Sequence, residues 1–176
     1  MQSDLISLEA TTGLGHVLIE LFVMMKLAAY RQDNALKPES GGILLGFRRD
    51  PHIHVVDATV PGSGDKALRT HFWRSGKSHQ RIARERWLSS GHTLDYVGEW
   101  HTHPQSSPSP STIDIGEWGK ITTLRGEEQM LFLILGMERV DWLGISQGAE
   151  VHRLSLSPTY SPALAVNLHD ELMERS

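Results

Sequence analysis

The chain has 176 residues and a net charge of -4, with 17 Lys and Arg against 21 Asp and Glu. That balance argues against a broad nucleic-acid-binding surface, and the length suits one domain with a core of its own. There is no cysteine, which excludes disulfides and every thiolate-held zinc or iron–sulfur centre, so any metal must be held by nitrogen and oxygen.

The N-terminus shows no basic region followed by an apolar run and a small-residue cleavage site, so a cytoplasmic protein is expected. Leu5 to Leu8 reads as an edge strand. From Leu14 to Arg31, the residues Val17, Leu18, Leu21, Phe22, Met25, Leu27 and Ala28 recur at helical spacing and predict a well-buried helix. Its most apolar part, Val17 to Ala29, is broken by Glu20 and Lys26 and is too short to cross a bilayer, so no membrane association is expected.

Lys37-Pro38 ends that pattern, and Glu39 to Phe47 follows as an apolar run bounded by glycines, the signature of a buried central strand. Arg48 to Pro51 is its turn and His54 to Val60 its hairpin partner; Pro61 to Asp65 is a loop. A helix is predicted from Ser75 to Ser90 with Gly91 as its cap, a strand from Leu94 to His103, and a helix from Ser111 to about Leu124 closed by Gly126. Met130 to Leu135, Asp141 to Ser146 and Glu150 to Leu156 read as further strands. Pro158 and Pro162 then interrupt the chain before a short helical tail from about Leu164 to Arg175, so the domain is expected to span 1–156 with a tail at 157–176. The order of elements predicts a mixed sheet flanked by helices.

The chemistry concentrates between Gly98 and Asp114. On a strand, His101 and His103 lie on one face, and Asp114 arrives after a loop broken by Pro104, Pro108 and Pro110. Two imidazole nitrogens and one carboxylate are a common ligand set for a catalytic zinc that keeps one position open for water. Taken singly the residues have plainer explanations, since Ser111 and Asp114 also suit the N-cap and first turn of a helix. His16, His92 and His169 read as isolated residues, and His52 with His54 as strand decoration. A proton acceptor is needed as well; Glu39, Glu99 and Glu117 all qualify, and Glu99 shares the predicted strand face of the two histidines.

The spacing His-Thr-His-Pro, six residues, Ser, two residues, Asp, preceded by Glu39-Ser40-Gly41-Gly42-Ile43-Leu44-Leu45-Gly46, resembles the JAMM (MPN-plus) metallopeptidases at every motif position. The resemblance covers roughly residues 5–156 and implies the MPN/JAMM (cytidine-deaminase-like) fold, with a central mixed, mostly antiparallel sheet flanked by helices. It implies one Zn2+ per chain on His101, His103 and Asp114, Glu39 as general base and Ser111 as the donor to the developing oxyanion, with Glu99 left as a supporting residue. It further implies a peptidase or isopeptidase acting after the C-terminal glycine of a ubiquitin-like or ubiquitin-like-tailed protein. The form Gly98-Glu99-Trp100-His101-Thr102-His103-Pro104 and the short chain resemble the stand-alone prokaryotic branch, similar to the deconjugating peptidases of CBASS and Bil antiphage operons. Conjugation-system enzymes are then expected partners.

Arg69, Arg74, Lys77, Arg81, Arg84 and Arg86, with His71 and His79, make one segment basic, either as a solvated helix face or as a dock for an acidic partner surface near the cleft. The alternatives to the JAMM peptidase are a scaffold of MPN type that has lost its metal, although all ligands are present here, and a small-molecule amide hydrolase on the same centre. A zinc nucleobase deaminase is excluded because it needs paired cysteines.

Overall fold

A computed structural model describes residues 5–9, 15–138 and 141–156; the expected tail helix from Leu164 to Arg175 lies outside them. In chain order the described residues form β1 (Leu5–Glu9), β2 (His16–Glu20), α1 (Leu21–Ala28), β3 (Gly41–Arg49), β4 (His52–Ala58), β5 (Lys66–Leu68), β6 (His71–Trp73) and α2 (Gly76–Ser89). These are followed by β7 (Asp95–Thr102), α3 (Thr112–Arg125), β8 (Leu131–Leu135), β9 (Asp141–Gln147), β10 (Glu150–Arg153) and β11 (Ser155–Leu156). Nine of the strands make one sheet in the order β10-β9-β8-β7-β3-β4-β2-β1-β11, and β5 and β6 pair separately. Ladders are antiparallel except β2 with β4 and β7 with β8, so the expected mixed, mostly antiparallel sheet is what forms.

The central strands are apolar because both of their faces are covered. Along β8 the alternation is visible: Leu131, Leu133 and Leu135 join the large core that includes Val23 and Leu27 of α1, whereas Phe132 and Ile134 pack with Trp118 of α3. A third cluster, Ile43, Leu45 and Leu94, has Ala83 of α2 packed against it. Gly42 is required where β3 passes Trp100 of the large core, since a Cβ there would lie 2.3 Å from the Thr59 carbonyl oxygen and 2.7 Å from Trp100 Nε1.

The predicted helix over residues 14–31 is half right. Its first part is β2, in which Val17 and Ile19 are buried with period two and pair in parallel with β4; only Leu21–Ala28 is helical. An apolar run that alternates along one stretch and steps by three and four along the next satisfies both periods, and here sheet pairing wins over the helical spacing. The short hairpin β5–β6 was not expected, and the last predicted strand divides into β10 and β11 around Leu154.

β7, α3 and β8 form a parallel crossover, which leaves the carboxyl end of β7 facing the amino end of α3. In such units the crevice beyond the strand ends is where ligands bind.

Candidate metal and catalytic site

β7 is hydrogen-bonded to β3 on one side and β8 on the other, which fixes it rigidly up to Thr102. An irregularity in the β3–β7 pairing at Leu44/Leu45 resets the alternation. Trp100 and Thr102 then turn toward the buried side, and Glu99 and His101 face the cleft together with His103 just past the strand end. Opposite them, Ser111 caps α3: its hydroxyl accepts from the Asp114 amide at 3.2 Å, and the Ser111 amide donates to Asp114 Oδ2 at 2.6 Å. This reciprocal cap holds the Asp114 carboxylate at the helix entrance, close to the strand end.

The result is a compact donor set. His101 Nε2 lies 3.0 Å from His103 Nε2 and 3.2 Å from Asp114 Oδ1, and His103 Nε2 lies 3.4 Å from Asp114 Oδ2. A tetrahedral zinc with ordinary Zn–N and Zn–O bonds holds its ligand atoms about 3.3 Å apart, and the contacts among these three side chains are close to that spacing. Trp118, stacked on Phe132 and Trp142 with ring centroids at 4.6 and 5.2 Å, stands beside the His101 ring at 6.2 Å and limits its swing.

Glu39 sits just ahead of β3, and its side chain reaches the same point, with ligand atoms of Glu39, His101 and His103 all within 4.8 Å of one another. It is only 8% exposed. Burial pushes its carboxyl up to about 7, with His103 pulling the other way and Asp114 adding to the rise. Burial would also raise Asp114, but hydrogen bonds from His101 and His103 hold it well below the usual carboxylate range. Burial works to lower His103, yet the Asp114 carboxylate carries it above the ordinary histidine value.

All five residues singled out by sequence therefore line one cleft of about 490 Å³, together with Glu99 and Glu117. Glu99 shares the face of the histidines, but its carboxylate is engaged: it is ion-paired to Arg74 and accepts from Tyr96 Oη at 3.0 Å. The exposed Glu117 pairs with Lys120 at 2.6 Å. The far wall of the cleft is Thr70 to Arg74 of the β5–β6 hairpin; the sequence marked His71 and Arg74 only as part of the basic segment, and the β-prone His71-Phe72-Trp73 was the available signal for the hairpin.

Four cations of the basic segment have partners within the chain. Arg69 donates to the Asn34 carbonyl, Arg74 pairs with Glu99, Arg81 with Glu85, and Arg86 with Asp57. His79, which belongs to the same segment, is 2% exposed. Its Nε2 lies 3.0 Å from Asp65 Oδ2 and its Nδ1 faces the Thr59 hydroxyl. Among the other histidines, His54 Nε2 contacts Glu20 Oε1 at 2.8 Å and His52 Nδ1 accepts from the His16 amide at 2.9 Å.

Residues 23–145 match the prokaryotic homologs of the JAB domain, a span that includes every residue of the cleft constellation. The chain belongs to this JAB family. It is similar to a CD-NTase/cGAS isopeptidase from Vibrio cholerae serotype O1, 42% identical over 128 residues, which covers 73% of this chain and 80% of the relative. A CD-NTase/cGAS isopeptidase from Escherichia coli strain TW11681 is 39% identical over 129 residues, covering 73% and 81%. Among solved structures, the solution structure of protein DSY2949 from Desulfitobacterium hafniense superposes with a TM-score of 0.57 at 20% identity, covering 77% of this chain and 87% of that one. The JAB fold is thus common to both, and the two isopeptidases support a peptidase activity for this JAB chain. No helix among the described residues is long and apolar enough to cross a membrane.

Proposed function

We propose that this JAB protein is a zinc-dependent isopeptidase that cuts after the C-terminal glycine of a ubiquitin-like or ubiquitin-like-tailed protein and so removes it from its target. The names of the two relatives put a CD-NTase first among the tailed proteins to try. The observation that carries the reading is the convergence of two imidazole nitrogens and the Asp114 carboxylate, with contacts of 3.0–3.4 Å, on the floor of the cleft, with the buried Glu39 beside them.

His101, His103 and Asp114 would hold the ion, which when bound supplies a Lewis acid that lowers the pKa of water toward neutrality. Glu39 accepts a proton from the attacking water and returns it to the leaving lysine amine, a double task that suits a carboxyl raised toward neutral pH. The Ser111 hydroxyl uses a lone pair in the helix cap and keeps its proton to donate to the developing oxyanion. The substrate tail lies extended between the β5–β6 hairpin and α3, where it can add as a strand to the short hairpin. The adjoining groove, which shares Arg74, Glu99 and Ile121 with the cleft and is lined by Trp87 and Leu124, accepts the body of the tailed protein.

The test uses a CD-NTase joined through its C-terminal glycine to a lysine of a reporter protein, followed by intact mass. Zinc-loaded protein is expected to release both parts whole, chelated protein to leave them joined, and replacing the terminal glycine by a bulkier residue to stop cleavage. Cleavage of simple amides with no action on this conjugate or on a ubiquitin–lysine conjugate would replace the isopeptidase with a small-molecule amide hydrolase.

A further inference from the structure

Thr102, between the two histidines, turns away from the cleft and is fully buried, as is Gln32 in the segment after α1. The Thr102 hydroxyl donates to Gln32 Oε1 at 3.0 Å and accepts from the Ser40 amide at 3.0 Å. Gln32 Nε2 donates in turn to the Arg69 carbonyl at 2.7 Å and the Lys37 carbonyl at 3.3 Å. Two backbone bonds flank the pair, from Thr102 N to the Ser40 carbonyl at 2.9 Å and from Glu39 N to the Leu68 carbonyl at 2.8 Å.

One buried amide thus links three pieces of the molecule that are distant in sequence. They are the strand that carries the histidines, both neighbours of the Glu39 segment (Lys37 and Ser40), and the turn of the β5–β6 hairpin at Arg69. A buried amide is costly unless every donor and acceptor is matched, and an apolar side chain would fill the same space without that requirement. The matched network therefore acts on geometry more than on bulk.

We propose that Gln32 and Thr102 are positioning residues that set Glu39 against His101 and His103 and set the hairpin over the cleft. The inference rests on the reading of Glu39 as the base. The β3–β7 ladder begins at Gly41 opposite His101, and the Gln32–Thr102 pair ties down the segment just ahead of it, where Glu39 lies. Misplacing a reacting group by about 1 Å costs on the order of a hundredfold in rate, so the network should be visible in kcat.

Thr102→Val keeps the β-branched shape and deletes the hydroxyl, whereas Thr102→Ser keeps the hydroxyl. With the CD-NTase–lysine conjugate, Thr102→Val is expected to lower kcat by about ten- to a hundredfold with KM and zinc stoichiometry unchanged, and Thr102→Ser to restore most of it. Gln32→Met, which also frees the hairpin, should lower kcat similarly and raise KM. A second readout needs no turnover: in metal-free protein, hydrogen exchange at the Ser40 amide should speed up in Thr102→Val and recover in Thr102→Ser. Wild-type kcat and wild-type Ser40 exchange in Thr102→Val, or equal losses in the Val and Ser variants, would overturn the positioning role. Glu39→Gln run alongside separates the two readings. If it is inactive while Thr102→Val is normal, only the positioning role fails; if it turns over like wild type, the base assignment is what fails.

Discussion

Two histidine clusters in this molecule are built from the same functional groups and have different ends. Thr59, His79 and Asp65 line up hydroxyl, imidazole and carboxylate like a catalytic relay. Each group in that line is also tied to the backbone or to its neighbour: the Thr59 hydroxyl accepts from the Ile43 amide, and Asp65 accepts from the Gly62 and Ser75 amides. Burial works against the Asp65 charge, but those amides and His79 hold its carboxyl below the usual range. With one His79 ring nitrogen on Asp65 and the other on Thr59, the line is a clasp between the loop at residues 61–65, α2 and β3. At His101, His103 and Asp114, by contrast, two ring nitrogens and a carboxylate converge on one point in an open cleft. The first arrangement pairs its groups in a line through the interior, and the second gathers donor atoms of the kind that would hold a cation at the floor of a cleft.

The contrast can be broken most severely at a ligand. Asp114→Ala should lose stoichiometric zinc and all turnover, measured by metal analysis and by conjugate cleavage, and it also removes half of the α3 cap. Glu39→Gln should retain one zinc and lower kcat by about 10²–10⁴-fold, the usual worth of a positioned proton carrier. Ser111→Ala should keep its zinc, lose on the order of a hundredfold in kcat as oxyanion donors do, and cost about 1 kcal/mol of stability as an N-cap does. If activity survives, Ser111 is only a cap. Thr59→Val should reverse that pattern: the loss is about 1–3 kcal/mol of stability from orphaned buried groups, read by denaturant melts, with zinc binding intact.

A smaller effect sharpens the comparison through pH. Burial raises Glu39 from an ordinary 4.5 to about 7, so in metal-free protein the folded state holds that proton more tightly than the unfolded state. Its stabilising contribution is full below about pH 4.5 and is lost as pH rises through about 7. Glu39→Gln removes this dependence, and the chelated variant should become progressively more stable than chelated wild type between about pH 5 and about pH 8. Asp114, held low, has the opposite sign and loses its contribution only at acid pH.

The convergence of His101, His103 and Asp114 was legible because its constraints are local and periodic. A period of two places His101 and His103 together, and a helix cap fixes Asp114. The proposed role of Glu39 came only through family resemblance, since local spacing left Glu99 and Glu117 open; in the structure Glu99 is engaged by Arg74 and Tyr96, which supports the proposal of Glu39. Gln32, Thr102 and the His79 clasp had no sequence signal, as each depends on contacts across 14 to 70 positions of chain. In the fold, β2 was hidden in a run whose apolar residues satisfy helical and strand periods alike, and the β5–β6 hairpin is too short for a pattern to emerge.

The most direct measurement is a zinc titration of metal-free wild-type protein followed by turnover of the CD-NTase–lysine conjugate. Activity should rise linearly and reach its plateau at one zinc per chain, with Glu39→Gln binding the same equivalent and staying about 10²–10⁴-fold slower. Turnover by the metal-free protein, or a plateau of activity unrelated to zinc occupancy, would contradict a metal-activated peptidase at His101, His103 and Asp114.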